Sequence, residues 1–81
     1  MWGYDLESAL VMINVETGSD YEVREALTQI PNVQDIFLVY GVYDIVAKIE
    51  AESMTTLREA VISKIRSLDK VKATLTMIIY G

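Results

Sequence analysis

Two hydrophobic patterns alternate along the chain and together predict four strands and two helices. Apolar and β-branched residues form runs of strand length at residues 9–15, 33–40, 44–51 and 71–80. The first run is apolar at nearly every position, which is typical of a central strand covered on both faces. Two intervening segments instead carry an apolar residue every three or four positions, as amphipathic helices do. The predicted order of elements is therefore β-α-β-β-α-β.

The two helices are predicted from their apolar stripes and from the residues at their ends. The first stripe consists of Val23, Ala26, Leu27 and Ile30, and the second of Met54, Leu57, Val61, Ile65 and Leu68, with Ile62 off the stripe. Ser19 and Glu22 have capping-box spacing, so each side chain is expected to bond a free backbone amide of the other. Pro31 ends the first helix, and Ser53 is expected to cap the second.

This order of elements predicts a ferredoxin-like α+β fold. Two interleaved right-handed β-α-β units give an antiparallel four-stranded sheet with both helices on one face, the architecture of dimeric α/β-barrel proteins. We assign residues 9–80 to this domain and residues 1–8 to an N-terminal arm or an extension of the first strand. A single domain of 81 residues without disulfides is expected to gain stability by associating with other copies.

The sheet face that the helices leave open is expected to bind a second copy of the chain. It carries Leu10 and Met12 from the first strand and Phe37 and Val39 from the second. A monomer that left this face in water would expose an unusually large apolar patch. The alternative is a monomer that covers the face with its own residues 1–8, but eight residues are too few to cover four strands.

Composition and charge remove several classes of function. Twelve acidic against seven basic residues give a net charge of −5, which argues against a nucleic-acid binder. The chain has no His and no Cys, no glycine-rich phosphate loop and no carboxylate cluster. We therefore predict no catalytic residue, no metal site and no cofactor. No apolar run reaches bilayer length and no export signal is visible, so we expect a cytoplasmic protein without membrane contact.

The segment Gly41-Val42-Tyr43-Asp44, between two apolar strands, is the first candidate for a site. Glycine lets the backbone approach another group closely, and Asp44 can offer a carboxylate to a cationic ligand group. The same residues also suit an ordinary hairpin turn, with Asp44 capping turn amides and Tyr43 packing. From the residues alone both interpretations stay open.

Thr74 and Thr76 form the second candidate. Alternation counted from Val71 directs both hydroxyls to the open face of the sheet, and directs Leu75 and Met77 to the helices. Two hydroxyls on a face that is otherwise apolar need hydrogen-bond partners, either from a bound polar molecule or from across an interface. The alternative is that threonine serves only as a good strand former.

Several of these segments together resemble one known family. They are the apolar first strand, the I-P-N-V of residues 30–33, the L-V-Y-G-V-Y-D-I-V of residues 38–46 and the A-T-L-T of residues 73–76. In this combination the sequence resembles the C-terminal regulatory domain of the Lrp/AsnC family, called RAM, over residues 8–80. The resemblance implies a domain that dimerises through its sheets. It also implies dimers that assemble further, commonly into octameric or decameric rings.

The resemblance also implies a ligand, because effectors of this family are typically amino acids bound between dimers. Carried over to this sequence, the binding residues are Gly41, Tyr43, Asp44, Thr74 and Thr76. The resemblance gives Asp44 a role in engaging the ammonium group or ordering the loop, and gives the loop amides near Gly41 a role in holding the carboxylate. The implied protein is a non-enzymatic effector-binding module related to transcription regulators.

One departure from the family is large. Full-length members begin with a helix-turn-helix domain, whereas only residues 1–8 precede the first strand here. DNA binding is therefore not carried over, and the expectation is a natural stand-alone protein or an excised domain that can co-assemble with full-length regulators. Two other functions stay open. One is a small dimeric α/β-barrel enzyme of the cofactor-free monooxygenase or isomerase type, which the lack of His disfavours, and the other is a ligand-free oligomerisation unit.

Overall fold

A computed structural model describes residues 6–80 of the chain as one sheet with two helices. The strands are β1 (Glu7–Val15), β2 (Val33–Leu38), β3 (Ile45–Ala51) and β4 (Val71–Ile79), and the first helix is α1 (Asp20–Thr28). The second helix, α2, runs without interruption through Met54–Thr56, Leu57–Ile62 and Ser63–Arg66. All strand pairs are antiparallel in the order β2-β3-β1-β4, as the ferredoxin-like prediction requires. Most of the predicted arm lies outside the described residues, while Glu7 and Ser8 begin β1.

The core lies between the sheet and the two helices. Alternate residues of the two central strands are fully buried there, namely Ala9, Val11 and Ile13 of β1 and Ile45, Ala47 and Ile49 of β3. The predicted helix stripes supply the other side of the core, with Val23, Leu27, Leu57, Val61 and Ile65 at 1% exposure or less. Alternate residues of the strands and every third or fourth residue of the helices therefore pack against each other on one side of the sheet. No helix of the described residues is long and apolar enough to span a bilayer.

The two helices begin differently, and only one of the predicted caps is present. Ser53 has an extended backbone (φ −142°, ψ 157°), and its Oγ accepts the Thr56 N–H at 3.1 Å. Ser19 has a ψ of 11° and its side chain makes no capping hydrogen bond, so the predicted capping box is wrong. An N-cap side chain reaches the next amides from the extended region, which Ser53 occupies and Ser19 does not.

The middle of α2 is wound as a π-helix, which changes the face it buries. The Ser63 N–H donates to the carbonyl of Arg58, five residues back, where an α-helix would use a step of four. The wider turn brings Ile62 into the core at 9% exposure. The prediction that Ile62 lies off the buried stripe is therefore wrong, because it assumed 3.6 residues per turn throughout.

Deletion of Ala60 is expected to leave the fold intact. Ala60 is exposed within the π segment, and removing it places Val61, Ile62 and Ile65 three, four and seven positions after Leu57. That spacing is the stripe of a regular α-helix, so the free energy of unfolding should change by less than about 1 kcal/mol. Chemical denaturation followed by circular dichroism measures this change.

The matched control is deletion of Arg24, an exposed residue of the regular helix α1. That deletion rotates Leu27 away from the core, and the loss of a buried leucine costs about 2–5 kcal/mol. If deletion of Ala60 destabilises the protein as strongly as deletion of Arg24, the π segment does not hold an extra residue.

A bulge in β4 reverses the predicted faces of this strand. Val15 pairs with Val71 and Asn14 pairs with Ala73, so Lys72 is an extra residue in β4. Beyond Lys72 the alternation is shifted by one, and a shift of one residue turns every side chain to the other face. The prediction that placed Thr74 and Thr76 on the open face is therefore wrong.

The register with β1 places both threonines on the helix side of the sheet. Thr74 pairs with Ile13 and Thr76 pairs with Val11, and both partners are buried beneath the helices. Both threonines are half-buried.

The open face is consequently more apolar than the sequence predicted. We use this name for the surface formed by Leu10, Met12, Phe37, Val46, Leu75, Met77 and Ile79. Phe37 and Leu75 are 54% and 48% exposed, which is unusual for large apolar side chains in a strand. The ion pair between Lys48 and Glu50, at 3.9 Å, belongs to the same side of β3.

Candidate functional site

A cavity of about 570 Å³ lies between α2 and the edge strand β4. Ile62 and Arg66 of α2 line one side, and residues 71–74 together with Thr76 of β4 line the other. We call it the α2–β4 cavity. Its walls combine apolar side chains, two hydroxyls and two cations, and this mixture suits a small polar ligand with an apolar part.

Two local irregularities shape the α2–β4 cavity. The π segment turns Ile62 toward the sheet, and Arg66 lies one α-helical turn further along the same side of α2. The β4 bulge turns Thr74 and Thr76 toward α2 and inserts Lys72 near the start of the strand. Neither irregularity follows from the hydrophobic pattern of the sequence, yet together they bring these residues to one place.

The cavity is positively charged in a protein whose net charge is −5. Arg66 and Lys72 are its charged lining residues, and both side chains are exposed. Among residues 6–80 the ion pair within 4.0 Å is that of Lys48 with Glu50, so no described carboxylate neutralises Arg66 or Lys72. An anionic ligand group would find two cations and two hydroxyls on the walls of one cavity.

The loop before β3 is fixed by hydrogen bonds to the end of β1. The Val15 N–H donates to Oδ2 of Asp44 at 2.9 Å, and the Asp44 N–H donates to the Ile13 carbonyl at 3.0 Å. The Asn14 side-chain amide donates to the Val42 carbonyl at 2.7 Å. The Asp44 carboxylate thus caps one backbone amide, which belongs to the end of β1 and not to the turn of residues 41–44. Its second carboxylate oxygen makes no hydrogen bond among the described residues.

The tip of this loop points outward. Gly41 has a φ of +139°, which disfavours any residue with a side chain. Its neighbours Tyr40 and Val42 are 105% and 82% exposed, whereas Tyr43 is half-buried. A loop that presents an exposed tyrosine and an exposed valine is suited to contact another molecule.

The predicted site residues form two groups rather than one. Thr74 and Thr76 lie together in the α2–β4 cavity, and Gly41, Tyr43 and Asp44 lie on the other side of β1. β3 and β4 flank β1, so their backbones are about 10 Å apart. Within one chain β1 therefore lies between the two groups.

The hydrophobic pattern of the sequence did not predict the α2 side of the cavity or the position of Lys72 in its lining. The apolar stripe predicted for the second helix leaves Ile62 outside, and Arg66 and Lys72 belong to none of the motifs found in the sequence. The available signal was the concentration of basic residues in α2 and directly before the two threonines. No group of three or more His, Cys, Asp or Glu side chains among residues 6–80 could hold a metal ion.

Comparison with known proteins identifies the family. The profile of the Lrp/AsnC ligand binding domain matches residues 8–81. The chain belongs to this family, which confirms the resemblance drawn from its motifs. An uncharacterised helix-turn-helix transcriptional regulator of Pyrococcus furiosus is 32% identical over 74 residues, which are 88% of this chain and 49% of the regulator. The chain thus spans about half the length of the curated regulators that it matches.

Solved structures confirm the ferredoxin-like fold. The protein FFRP-DM1 superposes with a TM-score of 0.87 at 31% identity, covering 91% of this chain and 99% of that one. A transcriptional regulator of Neisseria meningitidis, solved as a complex with L-Met, superposes with a TM-score of 0.78 at 16% identity. That alignment covers 93% of this chain and 50% of the regulator, and it shows a shared fold. The family profile and the fold therefore agree that the chain contains a domain of the Lrp/AsnC ligand binding type.

Proposed function

We propose that the protein is a non-enzymatic, cytoplasmic oligomer that binds an amino acid effector. The observation that carries this proposal is the α2–β4 cavity, which offers hydroxyls and cations beside an apolar wall in a domain of the ligand-binding family. An amino acid has a carboxylate, an ammonium group and a side chain, and it needs both polar and apolar partners. The N. meningitidis regulator, which shares the fold, holds L-Met in its complex.

The complete site would form between copies of the chain. Thr74 and Thr76 of one copy would bond the ligand, and residues 41–44 of another copy would close over it. Asp44 would then engage the ammonium group through the oxygen that Val15 does not use. The exposed Tyr40 and Val42 support this arrangement, because they lie where the loop would meet a neighbouring copy.

Assembly begins, in this proposal, with a dimer through the open face. Its apolar side chains are exposed in the single chain, and the open face of a second copy would bury them against a matching apolar surface. Dimers would then associate into rings such as octamers or decamers, with the ligand at the contacts between dimers. Full-length Lrp/AsnC regulators carry a domain of the same type, so mixed assembly with them would allow this protein to modulate transcription without binding DNA itself.

Ligand binding between dimers would shift the population of assembled states. A ligand that binds only the assembled form stabilises it by RT ln(1 + [L]/Kd), about 2.7 kcal/mol at a hundredfold excess over Kd. The protein would thus convert amino acid concentration into oligomeric state. No change within the folded chain is needed for this response.

The test is thermal unfolding of the protein with each of the twenty amino acids at millimolar concentration. One or a few of them are expected to raise the melting temperature by several degrees. The double variant Thr74→Val, Thr76→Val replaces each hydroxyl by a methyl group and should abolish the rise, because the hydroxyls bond the ligand.

The variant Thr55→Val makes the same replacement on the exposed side of α2 and should keep the full response. A protein that responds to none of the twenty amino acids contradicts the proposed function. A response that survives in the double variant places the ligand away from the α2–β4 cavity.

A further inference from the structure

We infer that Arg66 is the carboxylate-binding residue of the α2–β4 cavity, assisted by Lys72. This inference rests on the proposed function and specifies its chemistry: the ligand is recognised as a carboxylic acid by side chains of α2 and β4. The guanidinium of arginine matches a carboxylate with two parallel N–H donors, whereas lysine acts as a compact charge. Arg66 therefore fixes the orientation of the ligand, and Lys72 adds attraction.

The position of Arg66 supports this role. It lies one α-helical turn after Ile62, whose side chain is 9% exposed and lines the same cavity. The π segment that buries Ile62 therefore also brings Arg66 to the cavity that the half-buried threonines of β4 line. A carboxylate bound to Arg66 would have the Thr74 and Thr76 hydroxyls beneath it as further donors.

The charge distribution of α2 points to the same residue. α2 also carries Arg58 and Lys64, both exposed, but neither lines the cavity. Arg66 has no described carboxylate within 4.0 Å, so its guanidinium is available to an incoming anion. Within one chain the loop amides near Gly41, the competing partners for the carboxylate, lie across β1 from the hydroxyls. In the proposed assembled site the loop of the other copy faces the ammonium group through Asp44, which leaves the carboxylate to Arg66.

Arg66 also lies in the last turn of α2, where a cation offsets the partial negative charge of the helix end. A residue that served only this purpose would contribute to stability and would leave anion affinity unchanged. Arg66→Gln therefore distinguishes the two roles through a binding measurement. Arg58→Gln removes the same charge from the same helix outside the cavity and is the matched control.

The probe is sodium propionate, compared with propionamide and with sodium chloride at equal ionic strength. Methyl-labelled isoleucine allows the Ile62 methyl group in the cavity to be followed by NMR in a large assembly, and Ile49 in the core is the internal reference. Propionate should shift the Ile62 signal, while propionamide and chloride should not. Arg66→Gln should weaken propionate binding about tenfold or more, and Arg58→Gln should not weaken it.

Each outcome separates this inference from the proposed function. If the protein responds to amino acids and Arg66→Gln binds them and propionate as well as the wild type, the inference is overturned and the proposed function stands. If propionate binds through Arg66 but no amino acid does, the carboxylate anchor is supported and the ligand is a different carboxylic acid. If propionate leaves the Ile62 signal unchanged at all concentrations, the cavity is not an anion site and the inference fails.

Discussion

Replacement of Leu75 by lysine is expected to separate the proposed dimer into monomers of 9.1 kDa. Leu75 pairs with Met12 across β4 and β1 in the middle of the open face, and 48% of it is exposed in the single chain. In a face-to-face dimer this exposed part is buried, and a lysine there would carry its charge into an apolar interface. The variant should be smaller in solution than the wild type at every concentration tested.

The magnitude follows from the symmetry of the dimer. Burial of the exposed half of the leucine side chain contributes about 1 kcal/mol, and desolvation of the lysine charge costs at least about 1 kcal/mol more. A two-fold interface contains the substituted position twice. The loss is therefore about 4 kcal/mol or more, which raises the dimer dissociation constant about a thousandfold. Sedimentation equilibrium over a range of protein concentrations measures this constant directly.

Gln29→Lys is the control, because it adds the same charge at the exposed end of α1. It should keep the wild-type mass, and circular dichroism should show that both variants retain their secondary structure. Should the Leu75 variant lose its structure, Met77→Lys repeats the test at a second position of the open face. A Leu75 variant that is folded and keeps the wild-type mass would show that copies do not meet through the open face.

The sequence predicted the architecture because the core residues obey regular periods. Residues such as Val11 and Ile13 alternate with polar or less buried neighbours, and Leu57, Val61 and Ile65 follow the helical period. These periods depend on the geometry of the backbone alone and are visible without tertiary contacts. The family motifs added that these elements form one known type of domain, and comparison confirmed that the chain belongs to this family.

The site was predicted less well because its residues depend on two departures from those periods. Lys72 is accommodated as a bulge, and no feature of residues 71–80 distinguishes a bulged strand from a regular one. Residues 57–62 are helical in either winding, and only packing against the sheet selects the π form that buries Ile62. The bulge moved the two threonines from one face to the other, and the π winding brought Arg66 to the same cavity.

The two irregularities therefore belong together in physical terms. A regular β4 would keep Thr74 and Thr76 away from α2, and a regular α-helix would turn Ile62 and Arg66 away from β4. The π segment alone would position only the α2 residues of the cavity, and the bulge alone only the threonines of β4. Such departures from regular geometry are common next to functional sites, since they direct side chains that a regular element would direct elsewhere.

Asp44→Asn is expected to abolish the response to the bound amino acid while the fold is retained. The amide oxygen of asparagine still accepts the Val15 N–H, so the loop before β3 keeps its position and stability changes by less than about 1 kcal/mol. The negative charge that would face the ammonium group is lost, and the loss of a charged hydrogen bond weakens binding about 10- to 100-fold. The ligand used is the amino acid that raises the melting temperature most.

Asp44→Ala separates the structural role of the carboxylate from its binding role. Alanine leaves the Val15 N–H without its partner, which costs about 1–2 kcal/mol and lowers the melting temperature by about 4–8 °C per kcal/mol. Asp69→Asn, in an exposed turn, removes the same charge and should change neither stability nor affinity. If Asp44→Asn binds the amino acid as tightly as the wild type and only Asp44→Ala is impaired, Asp44 fixes the loop and does not touch the ligand. Recognition would then depend on the α2–β4 cavity, where the cations and hydroxyls lie, because the ammonium group would have no partner in the loop.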